Sequence, residues 1–170
     1  MRKHVEFGTK KIGDNQRIPF IAEIGVNHLG KIKNALELVE SAIRAGSDFL
    51  KFQTYIAEER YDKKNPKYEE FTKLLKEWQL SREEEIEMWQ LAKNLGAEVF
   101  TSVYENKSIE FTEKMGTVGY KIAAFEMNNK PLLNEVIKTK KPIIISCGMT
   151  NIEEIRKLSD FLDENDTNYI

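Results

Sequence analysis

Cysteine is almost missing from this chain: among 170 residues there is one, Cys147. A single thiol excludes a disulfide framework and a cysteine-based zinc site. Histidine is nearly as scarce. His4 and His28 are the only two, too few for a multi-histidine metal site. No apolar run approaches the ~20 residues of a membrane span, and the opening Met1-Arg2-Lys3-His4-Val5-Glu6 turns polar too early for a signal peptide. A soluble, cytoplasmic protein with no membrane partner is therefore expected. Neither charge sign dominates, since 26 basic and 28 acidic side chains give −2. Nucleic-acid binders usually carry a basic excess, so none is expected as a partner. Length is also lacking: the chain suffices for one domain but falls short of the roughly 250 residues of a closed eight-stranded α/β barrel.

What is present is an alternation of strand and helix signals. Residues 5–19 are short and polar, with Gly8, Gly13-Asp14-Asn15 and Pro19, and fit two brief strands around a turn. From residue 20 onward strands are expected over 20–26, 49–55, 98–104, 120–125 and 142–148, with a sixth beginning at 168–170. Between them lie segments with apolar residues three and four apart, the period of an amphipathic helix. The clearest spans 31–45, with Ile32, Ala35, Leu36, Val39, Ala42 and Ile43 on one face and Gly46 as its stop. Residues 56–80 form a longer polar excursion holding a short helix over 67–77. Ser81 with Glu84 reads as a capping box, and so does the stretch from Thr150 to Glu153. Asn106 is a candidate cap, and Pro131 suits a first helical turn.

Strand and helix in strict alternation imply a parallel sheet with helical crossovers. The first strand is followed by Asn27-His28-Leu29-Gly30 rather than a glycine-rich dinucleotide loop, and no P-loop motif occurs. Chemistry in parallel α/β folds sits at the C-terminal strand ends, and there polar residues recur. Glu23, Asn27 and His28 belong to the first strand end, Lys51, Gln53 and Thr54 to the second, and Thr101, Ser102 and Tyr104 to the third. Lys121, Glu126, Asn128 and Asn129 belong to the fourth, Ser146 and Cys147 to the fifth. Lysine is seldom buried without a partner. Two strand lysines beside hydroxyls suit a phosphate or carboxylate, and glutamates with amides suit sugar hydroxyls. The plainer alternative pairs Lys51 with Glu23 and Lys121 with Glu126 as structural ion pairs. His28 reads more simply as a hydrogen-bonding loop residue, Cys147 as a small core filler, Trp78, Trp89 and Phe111 as helix packing, and 82–87 as a solvated acidic helix start.

Four ordered blocks carry a resemblance. Ala22-Glu23-Ile24-Gly25-Val26-Asn27-His28-Leu29-Gly30 resembles the A-E-I-G-x-N-H-x-G signature of the sialic acid synthase family. Ala45-Gly46-Ser47-Asp48 leading to Lys51-Phe52-Gln53-Thr54 is similar to its A-G-A-D and K-F-Q-T block. Lys121-Ile122-Ala123-Ala124-Phe125-Glu126 resembles K-I-x-S-x-E, with Ala124 in place of the serine. Lys141-Pro142-Ile143-Ile144-Ile145-Ser146-Cys147-Gly148-Met149 resembles K-P-[IV]-I-[LI]-S-T-G-M, with Cys147 in place of the threonine.

The resemblance implies a (β/α)₈ barrel with an N-terminal hairpin, here a hairpin over 1–19 and an incomplete barrel over 20–170 that stops near its sixth strand. It implies condensation of phosphoenolpyruvate with an N-acetylated hexose such as N-acetylmannosamine, releasing phosphate, in a homodimer. It assigns Lys51, Ser102, Lys121 and Ser146 to phosphoenolpyruvate, with Asn27 also substrate-binding. Glu23, Gln53 and Glu126 would face the sugar, with Glu23 and Glu126 catalytic and Glu126 the better candidate for proton handling. It also implies a divalent metal, manganese or magnesium, held by histidines on strands beyond the fifth and so outside this chain. The rival reading is a non-catalytic partial barrel acting as a binding or assembly module. Aldol-type synthases of seven- or eight-carbon keto acids are a more distant alternative that the A-E-I-G-x-N-H block disfavours.

Overall fold

The computed structural model describes residues 4–170. The chain opens with an antiparallel hairpin, β1 (His4–Phe7) and β2 (Lys10–Gly13). Five parallel strands follow: β3 (Ile21–Gly25), β4 (Phe49–Gln53), β5 (Glu98–Ser102), β6 (Tyr120–Ile122) and β7 (Ile143–Ile145). The helices are α1 (Ile32–Arg44), α2 (Tyr68–Trp78), α3 (Arg82–Asn94), α4 (Asn106–Met115), α5 (Lys130–Lys138) and α6 (Ile152–Glu164). Among the described residues no helix is long and apolar enough to cross a membrane.

The sheet order is β3-β4-β5-β6-β7, the order of the sequence itself. A doubly wound sheet reverses direction at a switch point, whereas sequential order with crossovers of one hand puts every helix on one face. Such a sheet is a barrel wall, and the chain is a partial (β/α)₈ barrel. Tyr169 makes a parallel bridge to Ile143, and Ile145 N–H donates to the Ile170 carbonyl at 3.0 Å, where the sixth strand is expected.

Pleating divides each strand between two environments. Leu50, Phe52, Val99, Ile24 and Ala22 turn outward and pack with Ala35 and Val39 of α1 and Met88, Trp89 and Ala92 of α3. Tyr120, Ile122, Ile143 and Ile145 likewise meet α5 and α6. The opposite face is the barrel interior. Its floor is three phenylalanines, Phe7 of the hairpin with Phe49 and Phe100, packed edge to face with centroids 5.0–6.1 Å apart.

The repeated helix-Gly-x-acid junction acquires a structural meaning. Gly46, at φ +83°, takes the left-handed turn that ends α1, and Gly96 does the same after α3. The acids that follow clasp the N-terminal segment. Thr9 N–H and Oγ1 donate to Glu98 at 2.6 and 2.7 Å, while Phe20 N–H donates to Asp48 at 2.7 Å and Arg17 pairs with Asp48.

Several local expectations are corrected. Residues 123–125 are not strand, because β6 stops at Ile122 and a 3-10 turn occupies Ala124–Glu126. Asn106 is the first residue of α4, with Glu105 at the cap position. The second capping box shifts by one residue: Asn151 caps α6 and Glu154 reaches back, while Thr150 hydrogen-bonds Glu154. The run 82–87 is not wholly solvated. Glu85 is 4% exposed, and Arg82 Nη1 donates to its carboxylate at 2.6 Å. Ser81 and Glu84 form the capping box as read.

Candidate functional site

The alternation that buries Leu50 and Phe52 under the helices turns Lys51 and Gln53 to the interior. Parallel register then aligns the neighbours: Glu23 lies beside Lys51, Gln53 beside Ser102, and Ser102 beside Lys121. Ser146 follows β7 and joins through a side-chain contact with Lys121. Glu23, Lys51, Gln53, Ser102, Lys121 and Ser146 are thus gathered at one end of the inner face.

Lys51 is buried. Its Nζ lies 2.5 Å from Glu23 Oε2 and donates to Ser102 Oγ at 3.2 Å. Lys121 Nζ donates to Ser146 Oγ and to the Ile122 carbonyl, both at 2.6 Å. Burial, then the neighbouring Lys51 charge, pull the Lys121 pKa down to about 8, with Glu23 and Cys147 opposing. Two ammonium groups in mutual range, partly withdrawn from water, make a site in want of negative charge. The structural ion-pair alternative holds for Lys51 with Glu23. It does not hold for Lys121, whose partners are a hydroxyl and a carbonyl.

Glu126 sits on the 3-10 turn after β6. Its Oε2 accepts from Asn129 Nδ2 at 2.7 Å, and Asn129 Oδ1 in turn caps α5. Asn27 donates to the Glu23 carbonyl at 3.2 Å, holding the turn after β3. At Gly25 (φ +49°) a Cβ would stand 2.9 Å from Glu23 Oε1 and 3.1 Å from Gln53 Nε2. Only glycine lets these two side chains close over the strand end.

Other polar strand-end residues have structural roles. Thr54 and Thr101 hydrogen-bond each other at 3.1 Å and are buried, Thr101 on the helix-facing side of β5. His28 is buried, and its Nδ1 accepts from Gly30 N–H at 3.1 Å, while desolvation lowers its pKa. Cys147 is half-buried, with Sγ 3.9 Å from the Ile145 carbonyl.

Sequence reasoning missed Arg60, within the polar excursion after β4. Its guanidinium lies 3.3 Å from the Tyr104 ring centroid, 5.4 Å from that of Phe125 and 5.8 Å from that of Tyr55. No spacing signal marks it, since the contacts form only when three loops meet. The neighbouring Tyr104 hydroxyl lies 3.5 Å from Gln53 Oε1.

For a resident divalent metal the donors do not fit. Among the described residues no three His, Cys, Asp or Glu side chains cluster. Glu23 is committed to Lys51, Glu126 to Asn129, and His28 to the loop backbone.

The NeuB family model matches residues 38–170. An N,N'-diacetyllegionaminic acid synthase of Legionella pneumophila is 35% identical, over 90% of this chain and 46% of that protein. A pseudaminic acid synthase of Campylobacter jejuni is 31% identical, over 88% and 47%. The chain thus spans about half the length of the curated relatives it matches. In fold, it superimposes on an N-acetylneuraminic acid synthetase of Leptospira borgpetersenii with a TM-score of 0.88 at 24% identity, covering 98% of this chain and 57% of that one. A 3-deoxy-D-arabino-heptulosonate 7-phosphate synthase of Thermotoga maritima gives a TM-score of 0.71 at 17% identity. With the family model covering 133 residues counted from 38 to 170, and relatives of this likeness alongside, the chain belongs to the NeuB family.

Proposed function

We propose that this chain forms the phosphoenolpyruvate-binding half of a sialic-acid-type synthase, which condenses phosphoenolpyruvate with an N-acetylated hexose to a nine-carbon 2-keto acid. The observation that carries the reading is the pair of inward lysines, each hydrogen-bonded to a serine on the same rim. Lys51, Lys121, Ser102 and Ser146 offer donors to a carboxylate and a phosphate at once, and charge-assisted hydrogen bonds are about twice as strong as neutral ones.

In this reading C3 of phosphoenolpyruvate attacks the aldehyde carbon of the open-chain sugar, forming the new C–C bond. Water adds at C2, and the C2–O bond to phosphate breaks, leaving the ketone. The aldehyde oxygen takes up a proton and the added water gives one up, a transfer this reading assigns to Glu126. Glu23 and Gln53 orient the acceptor, and Asn27 fixes the Glu23 turn. An incoming anion competes with Glu23 for Lys51, which frees the carboxylate to turn toward sugar hydroxyls. Family likeness supports the reaction class, and among the described residues no donor set for a metal takes part in these steps.

Isothermal titration of the native protein, expressed from its own gene, tests this. Phosphoenolpyruvate is expected to bind, and Lys51→Met or Lys121→Met to weaken binding by about 100-fold, or ~2.7 kcal/mol. Absence of phosphoenolpyruvate binding with or without manganese overturns the reading in favour of a non-catalytic barrel module.

A further inference from the structure

Among the described residues Arg60 is a cation without a counter-ion. Glu58 pairs with Lys76 at 2.6 Å and Glu59 pairs with Lys107, so neither adjacent carboxylate serves it. Nε and Nη1 are enclosed and have no hydrogen-bond partner among the described residues. Leaving buried donors unsatisfied is costly, because they forfeit the water they would otherwise bind. Aromatic faces of Tyr104, Tyr55 and Phe125 offset part of that cost by cation–π attraction. Among the described residues Nη2 makes no hydrogen bond and, unlike Nε and Nη1, is not enclosed, which leaves it as the donor for a ligand. Phe125 is 56% exposed and stacks parallel to Tyr104, with centroids 6.2 Å apart and planes 7° apart.

This platform adjoins the acceptor side of the rim. Tyr104 reaches Gln53, and Phe125 directly precedes Glu126. The Glu23 and Glu126 charges both act on the Tyr104 hydroxyl. Those carboxylates disfavour a further anion there. A fixed donor beside an exposed aromatic face suits a neutral group with one oxygen acceptor and one small apolar end, which describes an N-acyl group.

We propose that Arg60 is a specificity-determining residue, donating from Nη2 to the N-acyl carbonyl oxygen of the acceptor sugar while the acyl methyl rests on Phe125. The proposal rests on the synthase reading above.

Steady-state kinetics of the native protein with N-acetylmannosamine, its 6-phosphate and mannose as acceptors tests it. In Arg60→Met the kcat/KM preference for N-acetylmannosamine over mannose is expected to fall about tenfold or more, with KM for phosphoenolpyruvate held within about twofold. Arg60→Lys keeps a charge but not the planar fork, and an intermediate preference is expected; it also serves where the methionine variant does not fold. Equal losses on both acceptors, or none, overturn the proposal and leave the synthase reading intact. A selective loss on the 6-phosphate overturns the acyl assignment in favour of phosphate. Failure of the unsubstituted protein to use any acceptor overturns the synthase reading, and this inference with it.

Discussion

Lys51 and Lys121 occupy equivalent pleat positions on strands separated only by β5, yet their environments differ. Lys51 has a carboxylate at 2.5 Å, whereas Lys121 has only dipoles at 2.6 Å. Lys121 therefore carries the depressed pKa, about 8 against an ordinary 10.5. The sign for folding follows: between about 8 and 10.5 the unfolded chain holds a proton that the folded chain has released. Lys121 thus contributes stability that rises with pH across that window. Under the proposed function the sign for anion binding is the opposite, because there the ammonium would hold the ligand. Phosphoenolpyruvate affinity is expected to fall as pH rises past about 8, and Lys121→Arg to move that fall upward; titration calorimetry at several pH values checks both. The residue types and their spacing were legible in sequence, but the pairing of each lysine with a serine came only from the structure. Which lysine would be neutralised was not, because that depends on Glu23 lying in register with Lys51.

At the scale of elements, helix α3 joins two functions. Its first turn has a complete capping box, with Ser81 Oγ accepting from Glu84 N–H at 3.2 Å and Glu84 Oε2 accepting from Ser81 N–H at 2.8 Å. Its inward acid is Glu85, buried beside Arg82, which also donates to Ser108 of α4 at 3.1 Å. Burial raises the Glu85 pKa to about 7, with Arg82 opposing. A raised carboxylate pKa favours the folded state at low pH. That contribution is present below about 4.5 and is lost as pH rises through about 7. Glu85→Gln is expected to keep the packing and flatten this dependence, so thermal melts at pH 5 and 8 should differ less in the variant than in the original protein. Ser81→Ala should cost about 1 kcal/mol in chemical denaturation, with no change in its pH dependence. The acidic run marked the helix start correctly. Its third glutamate was misjudged because only the packing of α3 against α4 reveals which side of that turn is enclosed.

For the molecule as a whole, the hairpin and the parallel sheet are held together through the barrel floor. Phe7 is fully buried, with ring centroids 5.4 Å from Phe49 and 5.0 Å from Phe100. Phe7→Ala would leave a void that rigid strands on either side cannot fill. A loss of about 3–5 kcal/mol is expected in urea denaturation. Since Lys51 follows Phe49 by one pleat repeat, phosphoenolpyruvate binding should weaken as well. Unchanged stability in Phe7→Ala would show that the hairpin is a loose appendage.

The alternating strand and helix pattern, the helix-ending glycines and the four motif blocks are local properties, written in residue order. They sufficed for a parallel sheet and a partial barrel, and for the strand-end positions of Glu23, Lys51, Gln53, Ser102, Lys121 and Ser146, which the register brings together. Strand ends were less legible, as at residues 123–125, because β6 ends level with the last paired residues of its neighbours, Ser102 of β5 and Ile145 of β7, and then turns into a 3-10 helix. The clasp of Asp48 and Glu98 on the hairpin, the burial of Glu85 and the aromatic seat of Arg60 depend on residues far apart in sequence. Their energies arise from enclosure and register, quantities that exist only once the chain has closed on itself, so tertiary structure alone decided them.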